Sequence, residues 1–94
     1  MISYKDLVID RDSYTILRGS EQLTLPKKEF ELLCLFFKNP QKTFSRQEIY
    51  HTIWDNIDKY NPRIIDVHIR KIREKIGDSY INTVKGVGYQ LTNS

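Results

Sequence analysis

The spacing of apolar residues divides the 94-residue chain into three regimes. Through residue 25 the apolar positions come as a short run, Leu7-Val8-Ile9, and as the alternation Ser13-Tyr14-Thr15-Ile16. Both patterns predict short strands of a small antiparallel sheet, four in number. Arg18-Gly19-Ser20-Glu21 predicts a tight hairpin turn, because Gly19 can take the positive φ such turns require. After Pro26 the spacing becomes helical: Phe30, Leu33, Cys34 and Phe37 follow i, i+3, i+4, i+7. They form one buried stripe, widened by Leu32, Leu35 and Phe36, and Asn39-Pro40 ends the helix.

A second helix has a full start signal. Ser45 stands at the N-cap, Glu48 three residues on completes a capping box, and Phe44 can staple against Ile49. Ile49, Ile53 and Trp54 face inward, and the helix stops near Asp55. The polar connector Asp55 to Asn61 follows, and Asn61-Pro62 is a cap with proline in the first turn of a third helix. There Ile65, Ile69, Ile72 and Ile76 fall at i, i+4, i+7, i+11 and fix the buried face, with Gly77 placed to end the helix in the left-handed conformation. A rotation of about 100° per residue puts Arg63, Val67, Arg70, Lys71 and Glu74 on the opposite side.

The chain closes with Tyr80-Ile81-Asn82-Thr83-Val84, then Lys85-Gly86-Val87-Gly88, then Tyr89-Gln90-Leu91-Thr92. This predicts a β-hairpin whose two glycines allow a tight tip that presents Lys85. The expected fold is α+β, a winged helix-turn-helix in one domain over residues 1–94. Residues 1–25 form the N-terminal sheet, 26–77 the three-helix bundle and 78–94 the wing hairpin.

Charge sharpens this picture. The whole formal charge of +3 arises between Pro62 and Lys85, where Arg63, Arg70, Lys71, Arg73, Lys75 and Lys85 outnumber Asp66, Glu74 and Asp78. The first sixty-one residues balance nine basic groups with nine acidic ones. Localised positive charge on a helix and the hairpin beside it suits a reader of nucleic-acid grooves, since phosphates attract the patch and the helix can enter the groove. Val67, with Ile64 at the edge of the same face, fits that reading, because short apolar side chains pack on thymine methyls. The plain alternative is that single exposed apolar residues are common.

Composition excludes other classes. One domain's worth of sequence, 39% apolar with eleven aromatics, can fold without cross-links. The single cysteine, Cys34, cannot form an internal disulfide, and with no secretory segment the expected location is intracellular, in the cytoplasm. The longest apolar run, Leu32 to Phe37, is far too short to span a bilayer. His51 and His68 lie seventeen positions apart on different predicted helices and Cys34 sits inside an apolar stripe, so no metal, nucleophile or cofactor spacing appears and no enzyme is expected. Trp54 continues the inward side of its helix, though its ring N–H at the helix end could meet a phosphate. His68 lies on a helix flank, where half-burial and a phosphate contact are both open.

The run from Arg63 to Ile76 (RIIDVHIRKIREKI) and the later Ile81-Asn82-Thr83-Val84-Lys85-Gly86-Val87-Gly88-Tyr89 resemble the DNA-binding domain of OmpR/PhoB-type bacterial response regulators. Lys28-Glu29-Phe30-Glu31-Leu32-Leu33, Asn39-Pro40, Ser45-Arg46-Gln47-Glu48-Ile49 and Ile53-Trp54 resemble that family in order and spacing, so the likeness covers nearly the whole chain. It implies that the third helix (62–76) enters the major groove and the wing (83–89) touches the adjacent minor groove. Carried over by position, Arg63, Arg70 and Arg73 would contact phosphates, while Lys71, Asp66 and Val67 would face bases. Thr83 and Tyr89 would brace phosphates, and Lys85 would reach into the minor groove. The resemblance further implies double-stranded promoter DNA with direct repeats, head-to-tail dimers, an RNA polymerase contact through loop 55–61, and a receiver domain with a sensor kinase.

The chain departs from the family pattern at four places. Ile64 replaces a common small polar residue, which favours apolar packing there. Lys71 and Lys85 replace the more frequent arginines, removing bidentate guanine recognition. Pro26 stands where a Thr or Ser cap is usual, so the first helix must start differently. No segment is long enough for a receiver domain, so an excised effector domain or a free-standing regulator is expected. A winged helix serving only protein interaction is the alternative, and its signature would be an apolar or acidic outer face on the third helix.

Overall fold

Leu7, Ile9 and Ile16 lie fully buried on one side of an N-terminal sheet, and covering them is what orders the start of the chain. The computed structural model describes residues 1–54 and 57–92. Strands β1 (Ile2–Tyr4), β2 (Leu7–Asp10), β3 (Thr15–Arg18) and β4 (Glu21–Leu23) pair antiparallel in that spatial order. Their register sets Ile9 opposite both Ile2 and Ile16, so one face becomes continuous hydrocarbon. Gly19, at φ +60, lies in the two-residue loop between Arg18 and Glu21.

The alternation at Ser13-Tyr14 does not continue as strand; those residues form the β2–β3 turn. Local side-chain bonds compete with the ladder there: the Asp12 amide donates to Asp10 Oδ1 at 3.0 Å, and the Ser13 and Thr15 hydroxyls lie 2.7 Å apart. Tyr14 takes φ +56 and lays its ring against Phe30.

Helix α1 (Lys27–Lys38) starts on Pro26, which offers no side-chain cap; the Pro26 carbonyl accepts from the Phe30 amide at 2.9 Å. Phe30, Leu32, Leu33, Cys34, Phe36 and Phe37 of α1 are all buried, which makes this helix the centre of the core. At its far end Asn39 donates through Nδ2 to the Leu35 carbonyl at 2.9 Å. Helix α2 (Arg46–Ile53) has the complete capping box, with the Glu48 amide on Ser45 Oγ at 3.0 Å and the Ser45 amide on Glu48 Oε1 at 2.9 Å.

Helix α3 (Pro62–Ile76) starts on Asn61, whose Oδ1 accepts from the Arg63 amide at 3.0 Å. Its isoleucine ridge is the buried face as expected, with Ile65, Ile69, Ile72 and Ile76 between 0% and 2% exposed. Gly77 ends the helix, but not in the left-handed helical region: φ 103 and ψ 165 put it in an extended conformation of positive φ that essentially only glycine adopts. Of the connector Asp55 to Asn61, Asp55 and Asn56 lie outside the described residues, and Ile57–Lys59 form one 3₁₀ turn.

The C-terminal hairpin pairs β6 (Ile81–Val84) with β7 (Gly88–Leu91). A further strand, β5 (Thr43–Ser45), joins the far side of β7 and makes a three-stranded sheet ordered β5-β7-β6. This corrects the expected role of Gly88. Gly86, at φ +79, serves the tip, whereas Gly88 sits within β7 opposite Ser45, where a Cβ would fall 1.9 Å from the Phe44 carbonyl oxygen. Among the described residues no helix is long and apolar enough to cross a membrane, and no cluster of His, Cys, Asp or Glu could hold a metal.

Candidate nucleic-acid interface

With the isoleucine ridge inward, the reverse face of α3 is left uncovered. Arg63, Val67, Arg70, Lys71 and Glu74 are all exposed, Val67 at 38%. The protein's own sheets do not shield this face. Thr83 and Lys85 on the hairpin are exposed as well. Ile64, Asp66 and Arg73 are half-buried at the margin of the face, and Ile64 packs against the core.

Tyr89 is buried, only 5% exposed, and its place is a structural junction. Its hydroxyl donates to Asp66 Oδ1 at 2.6 Å, and the same oxygen accepts from Arg46 Nε at 2.7 Å. The guanidinium carbons of Arg46 and Arg73 lie 5.1 Å and 5.7 Å from the Tyr89 ring centre. Arg73 then donates through Nη2 to the Ile81 carbonyl at 2.8 Å and to Thr83 Oγ1 at 3.0 Å. So α2, α3 and the hairpin are fastened together by one polar network, and four of the sequence-predicted residues, Asp66, Arg73, Thr83 and Tyr89, hold the wing beside the helix.

Protonation follows this geometry. Burial would push Asp66 up, but the Tyr89 hydroxyl and the Arg46 guanidinium together hold its carboxyl below the usual value. Tyr89 moves up, first because it is buried and then because its proton is held on Asp66. Arg46 also moves up, chiefly through its bond to Asp66.

Trp54 and His68 belong to an aromatic cluster at the junction of α2 and α3. Trp54 is half-buried and stacks on Tyr50 at 5.3 Å with only 3° between planes, while His68 meets its edge at 5.0 Å. His68 Nδ1 lies 2.8 Å from the Ile64 carbonyl. Two features of the interface escaped sequence reasoning. Arg46 reads as an ordinary first-turn residue until Asp66 is seen beside it, and Val87, 51% exposed at the wing tip, reads in the sequence only as a spacer between the two glycines of the hairpin tip.

A tri-helical bundle with a basic, outward third helix and a hairpin fastened at its flank defines a winged helix-turn-helix. Residues 20–91 match the family described as "Transcriptional regulatory protein, C terminal". The chain belongs to that family; it is a winged-helix DNA-binding domain of the OmpR/PhoB response-regulator type. It is 41% identical over 96 residues to the uncharacterized transcriptional regulatory protein YcbL of Bacillus subtilis, covering 97% of this chain and 42% of that one. The OmpR/PhoB homologue DrrB of Thermotoga maritima superposes with a TM-score of 0.86 at 35% identity, over 97% of this chain and 43% of that one. The DNA-binding domain of the response regulator AdeR, solved in complex with an intercistronic region, superposes with a TM-score of 0.88 at 28% identity over the full length of both chains. The chain spans about two fifths of the length of the curated relatives it matches.

Proposed function

We propose that this domain binds duplex DNA sequence-specifically, with α3 (62–76) in the major groove and the wing (83–89) at the adjacent minor groove. The observation that carries the reading is the division of α3 into a sealed isoleucine ridge and an uncovered basic reverse face. On this reading Arg63 and Arg70, both exposed, contact phosphates, while the exposed Lys71 and Val67 contact base edges and a thymine methyl. Ile64 adds apolar contact at the margin. Asp66 keeps one oxygen on Arg46 and Tyr89 and is 46% exposed, so its other oxygen can face a cytosine amino group. Arg73, Thr83 and Tyr89 set the wing so that Lys85 reaches the minor groove. That the domain of AdeR was solved on DNA supports the same use here.

The shorter span relative to the relatives fits an effector domain that works with a receiver domain and a sensor kinase in a two-component system. On this reading two copies lie head to tail on direct repeats in a promoter, and loop 55–61 faces RNA polymerase. Selection of bound sequences from random duplexes tests the central claim, because it reports base preference and repeat spacing together. Titration with salt completes it. Affinity should fall along a line in log salt whose slope reflects roughly four to eight phosphates per monomer. No duplex binding at low salt would leave a protein-interaction module instead.

A further inference from the structure

The segment Gly77 to Tyr80 joins the recognition helix to the wing, and its anchors come from the far N-terminal sheet. Arg18 on β3 donates through Nη2 to the Ile76 carbonyl, one of the helix-end acceptors that lack an intrahelical partner. Lys5, in the β1–β2 turn, donates through Nζ to the Ser79 carbonyl at 3.1 Å. Tyr80 donates its hydroxyl to Asp6 Oδ1 in the same turn. Asp6 also pairs with Arg18 at 3.4 Å. The Tyr80 ring is flanked by both cations, Lys5 Nζ at 5.5 Å and the Arg18 guanidinium carbon at 5.9 Å from its centre. The Tyr80 carbonyl accepts from Thr92 at 2.9 Å, which closes the base of the hairpin onto the same point. Lys5 holds φ +55 at this place, an uncommon conformation for a residue with a side chain.

We propose that Lys5, Asp6 and Arg18 are positioning residues for DNA reading: they clamp the helix–wing link and so fix the separation at which α3 and Lys85 can engage two grooves at once. The proposal rests on the groove assignment above and adds a set of residues remote from it. Neither end of the clamp is on the basic face. Its effect is exerted through Ile76 and Tyr80, at the two ends of the link. A loose link would leave α3 able to enter its groove while the wing samples positions off the DNA. The cost would then fall on the wing contact alone.

The test compares the wild-type domain with Tyr80→Phe, Asp6→Ala and the double variant on a duplex chosen by selection, with footprinting of each groove. Tyr80→Phe removes one hydroxyl and keeps the buried ring. Minor-groove protection beneath the wing should weaken and affinity should fall about three- to tenfold, the scale of one hydrogen bond, while major-groove protection persists. The slope against log salt should drop by about one phosphate. The double variant should cost no more than the larger single one, since both remove the same bond. Unchanged footprints, or parallel loss in both grooves, would overturn the clamp. Amide hydrogen exchange on the free domain separates this from failure of the DNA reading. If the wild type binds no duplex, the groove assignment falls. Faster exchange confined to residues 81–91 in Tyr80→Phe would then uphold the clamp's mechanical part, and an unchanged pattern would end it.

Discussion

Arg70 and Lys71 are neighbours on the exposed face of α3, yet the two should respond differently to removal. Arg70→Ala should weaken binding to operator and random DNA about equally, because a phosphate contact carries no base code. Competition with single-base operator variants checks this, and a change in preference at one base pair would reassign Arg70 to base reading. Lys71→Ala should alter preference as well as affinity, by about 1–3 kcal/mol at one position. Equal losses on all sequences would take Lys71 out of the base-reading set. Exposure of both residues was legible from the isoleucine spacing alone. The engagement of Asp66 and Tyr89 was not, because their 2.6 Å bond joins residues 23 positions apart, and no local pattern encodes such a pair.

At the scale of elements, local signals were read correctly where a short stretch determines them. The Ser45/Glu48 box and the Asn61-Pro62 start are written within four residues, and both caps form. Strand β5 was missed because three residues, Thr43–Ser45, carry no period of their own and become a strand only against β7. The same pairing explains Gly88, whose missing side chain lets β7 approach the Phe44 backbone. Gly88→Ala should therefore force β5 and β7 apart and cost about 2 kcal/mol or more, read as a drop in the denaturation midpoint. Ala at this place without loss of stability would mean that the strand approach is not tight. Ile69→Ala, at 1% exposure in the ridge of α3, should cost roughly 2–5 kcal/mol through the cavity it leaves. Thermal unfolding measures that directly, and an unchanged transition would mean that the ridge is not core.

Across the whole molecule, two tyrosine–carboxylate bonds tie the wing to the rest of the domain, Tyr89 to Asp66 of α3 and Tyr80 to Asp6 of the sheet. Each bond moves two acidities in opposite directions, so stability should fall at both ends of the pH scale. Asp6 is lowered from 3.8, first by the Tyr80 hydroxyl, and Asp66 is lowered from 3.8 because its hydrogen bonds outweigh burial. Glu48 is lowered from 4.5, chiefly by the Ser45 amide. As pH falls below these ordinary values the unfolded chain takes up protons that the folded domain refuses, and stability declines. Tyr80 and Tyr89 are raised from 10.0, burial first and the bond to the carboxylate second. As pH rises past that value the unfolded chain loses protons that the folded domain keeps, and stability declines again. Urea midpoints measured across pH should form a plateau between about 5 and 9 with a limb on each side. Tyr89→Phe is the decisive variant, because deleting one hydroxyl should flatten the acid and alkaline limbs together. If only the alkaline limb changed, Tyr89 would be titrating without holding Asp66, and the wing would be fastened to α3 by Arg73 alone.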